Sequence, residues 1–295
     1  NSRFKETVIK AIKNRFERMP LFSAMASIFN LLLSVMTDKY YNRKYAIRLK
    51  QKKEMFASFF MENIRHSLKE YYPHELDKAN LAYDIYIAGS DQIWNPYHGK
   101  LRDLDLLYCI DPSKRISYAA SIGIDEIPED FKEKTKKEIS KFKSISVRED
   151  KGKELLEELT GRNDIQVNLD PTMLLTDKEW SKLAKRPKQL KTDKYILNYF
   201  LGKLSEERQA EIERIAALND CEIINILDKD GPFYETGPSE FLYLEQHAFL
   251  ICTDSFHSSV FALLFNRPFI IFNREDNQAS MNSRLETLVN TFKLE

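Results

Sequence analysis

The stretch from residue 249 to residue 272 constrains the fold more than any other part of the sequence. Two uninterrupted apolar runs, residues 249–252 and 269–272, flank an apolar segment that is long enough for a short helix. Unbroken apolar runs are typical of parallel strands covered on both faces, whereas half-exposed antiparallel strands alternate polar and apolar residues. The stretch therefore predicts a buried strand, a polar turn, a short buried helix and a second buried strand.

The polar residues of this unit are concentrated at residues 253–259, between the first strand and the helix. Ligands bind at such strand ends in open parallel sheets, because free backbone N–H groups and the helix dipole favour an anion there. Histidine is the side chain that most often serves as a proton donor and acceptor near neutral pH, so His257 is our leading general acid/base. We expect Asp254 to cap the helix or to orient His257, because its charge would repel an anion. Four hydroxyl residues either bind the anion or only cap the helix: Thr253, Ser255, Ser258 and Ser259.

Strands and helices alternate along most of the chain. The first half has strand patterns at residues 83–88, 105–110, 115–120, 145–148 and 165–169, and the second half adds residues 195–200 and 221–227. This alternation predicts an α/β fold with two Rossmann-like, doubly wound halves, residues 1–175 and 176–295. Ligands belong in the cleft between the two sets of strand ends.

Other candidate site residues follow predicted strands. Asp91 and Gln92 can form hydrogen bonds with a ligand, and Ser90 and Asn95 beside them are further candidates for substrate binding. Trp94 is either a stacking face for a ligand ring or a core residue, and both alternatives stay open.

Arg148 ends another predicted strand. It either binds phosphate or carboxylate bidentately or pairs with Glu149 or Asp150. Asn198 and Tyr199 end a strand of the second half and are candidates for the cleft.

The amino-terminal segment differs in charge from the rest of the chain. Residues 1–53 hold thirteen Lys/Arg and three Asp/Glu, a net charge of +10, although the whole chain balances 45 basic against 45 acidic residues. Overall neutrality argues against nucleic acid as a partner. Residues 1–80 have helical spacing. Within them, residues 1–53 predict either a basic amphipathic element on an anionic membrane or a helical hairpin packed on the protein. Both interpretations stay open.

Three cysteines bear on the compartment: Cys109, Cys221 and Cys252. They lie in or beside apolar runs, lack metal-ligand spacing and cannot all form pairs. This predicts reduced cysteines in a cytoplasmic protein, with peripheral contact at the inner face of the cell membrane if residues 1–53 bind lipid.

Six motifs together resemble the polysaccharide pyruvyl transferase family. In chain order they are GSDQIWNP from Gly89, ISYAASIG from Ile116, SVRED from Ser146, LDPT from Leu169, GPSEF from Gly237 and TDSFHSSVF from Thr253. The resemblance covers roughly residues 83–272. It implies a glycosyltransferase-B-like pair of Rossmann domains. It also implies transfer of a pyruvyl unit from phosphoenolpyruvate to a sugar, usually leaving a pyruvate ketal on a cell-surface or capsular glycan.

Two departures from the family pattern modify this expectation. Members usually start with a strand and a small-residue loop, which we do not find, so we expect the amino-terminal domain to lack its first strands. Some members carry an Arg-Leu-His run where this chain has Ser255-Phe256-His257. Arg148 or another basic residue must then bind the phosphate.

The implied chemistry assigns roles to the candidate residues. Ketal formation from phosphoenolpyruvate needs an acid for the methylene carbon, a base for the sugar hydroxyl, and cations or N–H donors for the phosphate and carboxylate. We expect His257, Asp91 and Arg148 to be catalytic, with no metal and no cofactor beyond the donor substrate. The expected acceptor is a sugar or a lipid-linked oligosaccharide.

Two other functions stay open at this point. One is a nucleotide-sugar-dependent glycosyltransferase of the same fold type, because the unit at residues 249–272 can also seat a diphosphate. The other is a non-catalytic, membrane-associated assembly protein that works through residues 1–53.

Overall fold

The computed structural model describes residues 46–66, 83–97, 101–274 and 283–294. The chain divides into two compact units, Asn1–Ala57 and Ser58–Glu295. Residues 46–63 form helix α1, and the rest of the predicted basic segment lies outside the described residues. Within the described part of the chain, no helix has the length and apolar character needed to span a membrane. A domain boundary near residue 176 stays a prediction.

After α1, the described residues of the first half form four short parallel strands and two α-helices. The strands are β1 (Tyr86–Ala88), β2 (Arg115–Ser117), β3 (Ser146–Val147) and β4 (Gln166–Val167), and the helices are α2 (Glu129–Ile139) and α3 (Asp150–Thr160). β1 pairs with β2 and β3 pairs with β4. Single bridges, Ile116–Ser144 and Ala120–Val147, connect β2 to the β3 region. The ends of β1 and β3 carry the candidate residues Asp91 and Arg148.

The second half contains a four-stranded parallel sheet. Its strands are β5 (Tyr195–Tyr199), β6 (Glu222–Asn225), β7 (Leu250–Thr253) and β8 (Phe269–Ile271). Its helices are α4 (Asp177–Ser181), α5 (Glu206–Leu218), α6 (Pro238–His247), α7 (Phe256–Leu264) and α8 (Ser283–Phe292). The strand order is β6-β5-β7-β8. Because β6 and β7 lie on opposite sides of β5, the strand order reverses there, which is where open parallel sheets leave a crevice.

The unit at residues 249–272 has the predicted connectivity, with α7 between the parallel strands β7 and β8. Ile251 and Cys252 are fully buried, as expected. The prediction that the second strand is equally buried is wrong. β8 lies at the edge of the described sheet, so Ile270 is 38% exposed.

The strand predicted at residues 105–110 is absent, and this part of the chain forms consecutive turns. Leu107 adopts a positive φ of 50°, and its N–H donates to the carbonyl of Leu104. Leu106 and Ile110 are nevertheless buried in the core. A buried turn can thus have the apolar composition of a strand, which is why the strand prediction was wrong here.

Helix α8 contacts elements from both halves. Its Leu285 and Leu288 belong to one buried cluster with Phe256 and Val260 of α7. Its Thr287 Oγ1 accepts a hydrogen bond of 3.2 Å from the backbone N–H of Asp150, at the start of α3. The α/β class is confirmed, and α8 adds a link between the halves that the sequence analysis did not predict.

Candidate active site

Arg148 is the centre of a cluster of charged side chains. Its side chain is 1% exposed. Its Nη1 donates to Asp170 Oδ2 at 2.6 Å and its Nη2 donates to Asp91 Oδ1 at 3.1 Å. The guanidinium also lies 4.3 Å from the ring centre of Phe256. Two carboxylates therefore balance the buried cation and fix the plane of its donors.

His257 reaches this cluster from the other half of the chain. It is the second residue of α7, which begins after the N-cap residue Ser255. Its Nε2 lies 3.4 Å from Arg148 Nη1 and 3.6 Å from Asp170 Oδ2, and its side chain is 35% exposed. The imidazole thus meets solvent while Nε2 faces the buried ion pair.

Asp170 lies between Arg148 and His257. Its Oδ1 accepts hydrogen bonds from the N–H and the hydroxyl of Thr172, and its Oδ2 faces Arg148 and His257. Burial alone would raise the pKa of Asp170, but His257 and Arg148 outweigh it and hold the pKa below its usual range. Asp170 is therefore ionised at neutral pH.

Asp91 is the accessible carboxylate of the cluster, with a side chain that is 63% exposed. Burial raises the pKa of Asp91. The charge of Arg148 and then that of His257 lower it by a larger amount, so the net pKa lies below the ordinary value. Its backbone has a φ of 52°, a left-handed conformation that aspartate tolerates better than most residues. Asp91 is therefore an ionised group that a ligand can contact.

Glu149 anchors the loop that follows β2. Its buried Oε1 accepts the N–H groups of Ile122 and Gly123 and the hydroxyl of Ser121. The N–H of Ser121 in turn donates to the carbonyl of Asp91. Glu149 thereby fixes the backbone beneath the exposed carboxylate.

A polysaccharide pyruvyl transferase family model matches residues 24–277. The chain belongs to this family. No curated protein and no solved structure matches it significantly. Membership confirms the resemblance inferred from the motifs and indicates a transferase of polysaccharide biosynthesis with a sugar or glycan acceptor. It does not favour the alternative of a nucleotide-sugar-dependent glycosyltransferase.

In this family member, the three residues predicted to be catalytic lie in one cluster. Arg148 contacts both Asp91 and His257, although 57 and 109 residues separate it from them in the sequence. The alternative pairing of Arg148 with Glu149 or Asp150 is wrong, because its partners are Asp91 and Asp170. The catalytic roles of the three residues stay predictions.

Trp94 is a core residue, and the stacking alternative is wrong. The residue is 2% exposed, and its indole N–H donates to the carbonyl of Asp105 at 3.0 Å. Its ring packs edge-on against Phe142. A sugar has no access to the ring face.

The four hydroxyl residues around the start of α7 do not offer their side chains to a ligand. All are buried: Thr253, Ser255, Ser258 and Ser259. Thr253 Oγ1 donates to the carbonyl of Tyr199, Ser258 Oγ donates to Glu245 Oε1, and Ser259 Oγ donates to the carbonyl of Ser255. Ser255 Oγ caps the helix by accepting the N–H of Ser258. The capping alternative is therefore correct for Ser255, and the other three hydroxyls form hydrogen bonds within the protein.

Asp254 neither caps α7 nor contacts His257, contrary to our expectation. Its two oxygens accept the N–H groups of Leu201 and Gly202 at 2.7 and 2.8 Å, and Arg274 Nε lies 3.5 Å away. Asp254 instead ties the loop after β5 to the end of β7.

The turn after β1 is stabilised by two of its own candidate residues. Asn95 is buried, donates to Gln92 Oε1 at 2.6 Å and accepts the N–H of Tyr97. These hydrogen bonds give Asn95 a structural role in the turn, and its contact with substrate stays a prediction. Ser90 and Gln92 are half-buried beside Asp91, and their contact with substrate stays a prediction.

Asn198 and Tyr199 end β5, as predicted, but no hydrogen bond between the described residues joins either side chain to the Arg148 cluster. Asn198 is 1% exposed, and its Oδ1 lacks a hydrogen-bond partner within the described part of the chain. Tyr199 packs its ring against Phe241, and burial raises the pKa of its phenol. Their role in substrate binding stays a prediction.

Sequence reasoning missed Asp170 and also Arg284, which lines a cavity together with Arg148 and Asp170. Asp170 belongs to the LDPT motif and follows a predicted strand, so its position carried a usable signal that we assigned only to a turn. Arg284 lies beyond the last motif, in a stretch where nothing in the sequence indicated a site.

Proposed function

We propose that the chain transfers a pyruvyl group from phosphoenolpyruvate to two hydroxyls of a sugar, forming a pyruvate ketal on a cell-surface or capsular glycan precursor. The observation that carries this proposal is the buried Arg148 guanidinium with the accessible imidazole of His257 3.4 Å from it. A cation paired with a proton-transfer group at strand ends suits a phosphorylated enol donor.

The two partners of Arg148 differ in a way that permits ligand exchange. The side chain of Asp170 is fully buried, whereas that of Asp91 is 63% exposed. An incoming phosphate or carboxylate therefore displaces Asp91 and leaves the Asp170 pair intact. The released Asp91 carboxylate is then available to a sugar hydroxyl.

The proposed reaction balances without a redox step. A proton from His257 adds to the methylene carbon of phosphoenolpyruvate, and the neighbouring carbon becomes electrophilic. One sugar hydroxyl forms a C–O bond there and loses its proton to Asp91 or to solvent. The C–O bond to phosphate then breaks, and the second hydroxyl closes the ketal while its proton returns to His257. Phosphate leaves with the electron pair of the broken bond.

We extend the proposal to the architecture and location of the protein. The two sets of parallel strands support two Rossmann-like domains in a glycosyltransferase-B-like pair that meet near residue 176. The net charge of +10 on residues 1–53 supports peripheral contact with an anionic membrane on the cytoplasmic side. A lipid-linked oligosaccharide acceptor would be presented at such a surface.

The direct experiment measures phosphate release from phosphoenolpyruvate with lipid-linked acceptors that end in galactose, mannose or glucosamine. We expect turnover with one acceptor class, and loss of turnover in His257→Ala with the thermal unfolding temperature unchanged. His247→Ala is the matched control, because His247 stacks on Tyr243 at the end of α6. Normal turnover in His257→Ala would remove His257 from the mechanism.

A further inference from the structure

A cavity of about 250 Å³ lies beside Arg148. It is bounded by the end of β4, the 3₁₀ turn Pro171–Leu174, the start of α7 and helix α8. Arg148, Asp170 and Arg284 line it, together with several apolar side chains. Leu169, Thr291 and Phe292 are exposed lining residues. They mark the side on which the cavity meets solvent.

Two arginines share this small space. Arg284 is the second residue of α8 and is 6% exposed. Burial and then the nearby charge of Arg148 lower its pKa to about 10, so the group is still cationic at neutral pH. Glu149 and Asp91 offset this lowering only in part. An anion in the cavity would stabilise both guanidinium charges.

Arg148 also has an unused donor. Its Nε is buried and lacks a hydrogen-bond acceptor within the described part of the chain. Buried polar groups in proteins are nearly always hydrogen-bonded, so an unbonded one needs an explanation such as a water, an ion or a catalytic role. Nη1 and Nη2 of Arg148 each donate one hydrogen bond, to Asp170 and Asp91 respectively. An anionic ligand in the cavity would supply the missing acceptor.

We propose that Arg284 and Arg148 together bind the anionic end of phosphoenolpyruvate in this cavity, with Arg284 as a second binding arginine. This inference rests on the proposed function. The apolar wall, which includes Met173 and Phe256, suits the methylene group of the donor. Arg148 lines the cavity, and its Nη1 lies 3.4 Å from His257 Nε2, so the proposed site adjoins the imidazole although His257 is not a lining residue.

The test measures binding to the full chain by calorimetry, with phosphoenolpyruvate and inorganic phosphate as separate probes. Arg284→Met removes the charge and keeps most of the side-chain volume. We expect it to weaken phosphoenolpyruvate binding by about thirtyfold, because a charge-assisted contact is lost. Arg214→Gln is the control, since Arg214 is an exposed arginine paired with Glu211, and its affinity should equal that of the wild type.

A second variant keeps the inference testable if Arg284→Met does not fold. Thr291→Trp changes an exposed position and fills the cavity while both arginines stay in place. We expect it to weaken phosphoenolpyruvate binding by at least tenfold. Unchanged affinity in Thr291→Trp, or in a folded Arg284→Met, would overturn the inference, as would a wild type that binds neither probe.

The two probes and an activity assay separate this inference from the proposed function. Loss of phosphate affinity in Arg284→Met alongside loss of donor affinity supports the site and assigns the phosphate group to Arg284. If Arg284→Met loses phosphoenolpyruvate affinity but keeps phosphate affinity, the result supports the site and indicates that Arg284 binds the carboxylate of the donor. Donor binding that depends on Arg284 without turnover on any acceptor supports the inference and contradicts the proposed transfer. Turnover with an unchanged donor KM in Arg284→Met supports the proposed transfer and contradicts the role of Arg284.

Discussion

Among single residues, Asp170 differs from the other carboxylates of the cluster because it is fully buried and touches both Arg148 and His257. A buried ion pair contributes little by itself, but removal of one partner leaves an uncompensated charge. Replacement of Asp170 by a neutral residue therefore leaves the buried Arg148 charge without its buried partner and lowers the stability of the fold.

We expect Asp170→Asn to lower the free energy of unfolding by about 3 kcal/mol at pH 7. The pKa of Asp170 is depressed in the folded state. Its stabilisation is thus fully present above about pH 4, the unfolded value, and is lost as the pH falls toward the folded-state pKa. Urea unfolding at pH 7 and pH 3 should show a smaller acid-induced loss in the variant. Asp125→Asn, at an exposed position, should behave like the wild type.

Glu245 is a buried carboxyl with the opposite behaviour. Burial raises its pKa well above the usual value, and the hydrogen bond from Ser258 offsets this only in part. A raised carboxyl pKa means that the unfolded state releases its proton first as the pH rises. Glu245 therefore costs stability above about pH 4.3, the unfolded value for glutamate.

We expect Glu245→Gln, a neutral side chain of the same shape, to remove that pH dependence. Between pH 5 and pH 8 the free energy of unfolding of the wild type should fall relative to the variant, as measured by urea unfolding. Glu286→Gln, on the exposed face of α8, is the control. Parallel pH profiles for wild type and Glu245→Gln would contradict this assignment.

At the scale of elements, α8 is held by apolar contacts to α7 and by a hydrogen bond to the start of α3. The helix carries Arg284, so its position decides whether that guanidinium faces the cavity. Packing of α8 and donor binding are therefore coupled.

We expect Leu288→Ala to lower the free energy of unfolding by about 3 kcal/mol, because a buried leucine leaves a cavity when truncated. The donor KM should rise in the same variant, since Arg284 loses its support. Asn290→Ala changes the exposed face of the same helix and should alter neither quantity. Thermal unfolding and a donor titration measure the two effects, and a stable Leu288→Ala protein would show that α8 docks weakly.

The elements that sequence reasoning placed correctly were those with a local pattern. The apolar runs at residues 249–252 and 269–272 predict parallel strands. The positions of Asp91, Arg148 and His257 just after strands predict that they belong to a site. The strand prediction at residues 105–110 was wrong because an apolar pattern indicates burial, and burial does not distinguish a turn from a strand. The edge position of β8 also has no local signature.

Contacts between distant residues account for what the sequence did not reveal. Asp170 lies 22 residues from Arg148 and Asp91 lies 57 residues away, so neither pairing appears in any local spacing. Trp94 was ambiguous for a similar reason, because its neighbour Phe142 comes from a separate segment. The role of Arg284 depends on where α8 docks, which only the tertiary structure shows.

For the whole molecule, the Arg148 cluster joins the first half, which supplies Asp91 and Asp170, to the second half, which supplies His257. A ligand bound by Arg148 should therefore stabilise the entire fold. Ligand binding to the native state alone adds about 2.7 kcal/mol at a concentration one hundred times Kd.

We expect saturating phosphoenolpyruvate to raise Tm by roughly 5 °C in the wild type. Arg148→Lys should lose most of this rise, because a lysine cannot present the planar fork of donors. Arg162→Lys is the control, since Arg162 pairs with Asp164 near the surface. A full rise in Arg148→Lys, detected by differential scanning calorimetry, would show that the donor does not depend on this guanidinium.

Arg148 and Glu149 are consecutive, yet one contacts the charged cluster and the other anchors the loop after β2. Successive side chains of an extended backbone point in opposite directions, and Glu149 has φ of −132° and ψ of 147°. A one-residue change in length just before Arg148 would reverse the two directions, so that Glu149 would point toward His257 and Arg148 toward the loop. Related sequences should therefore vary in length elsewhere and preserve the spacing of this dipeptide.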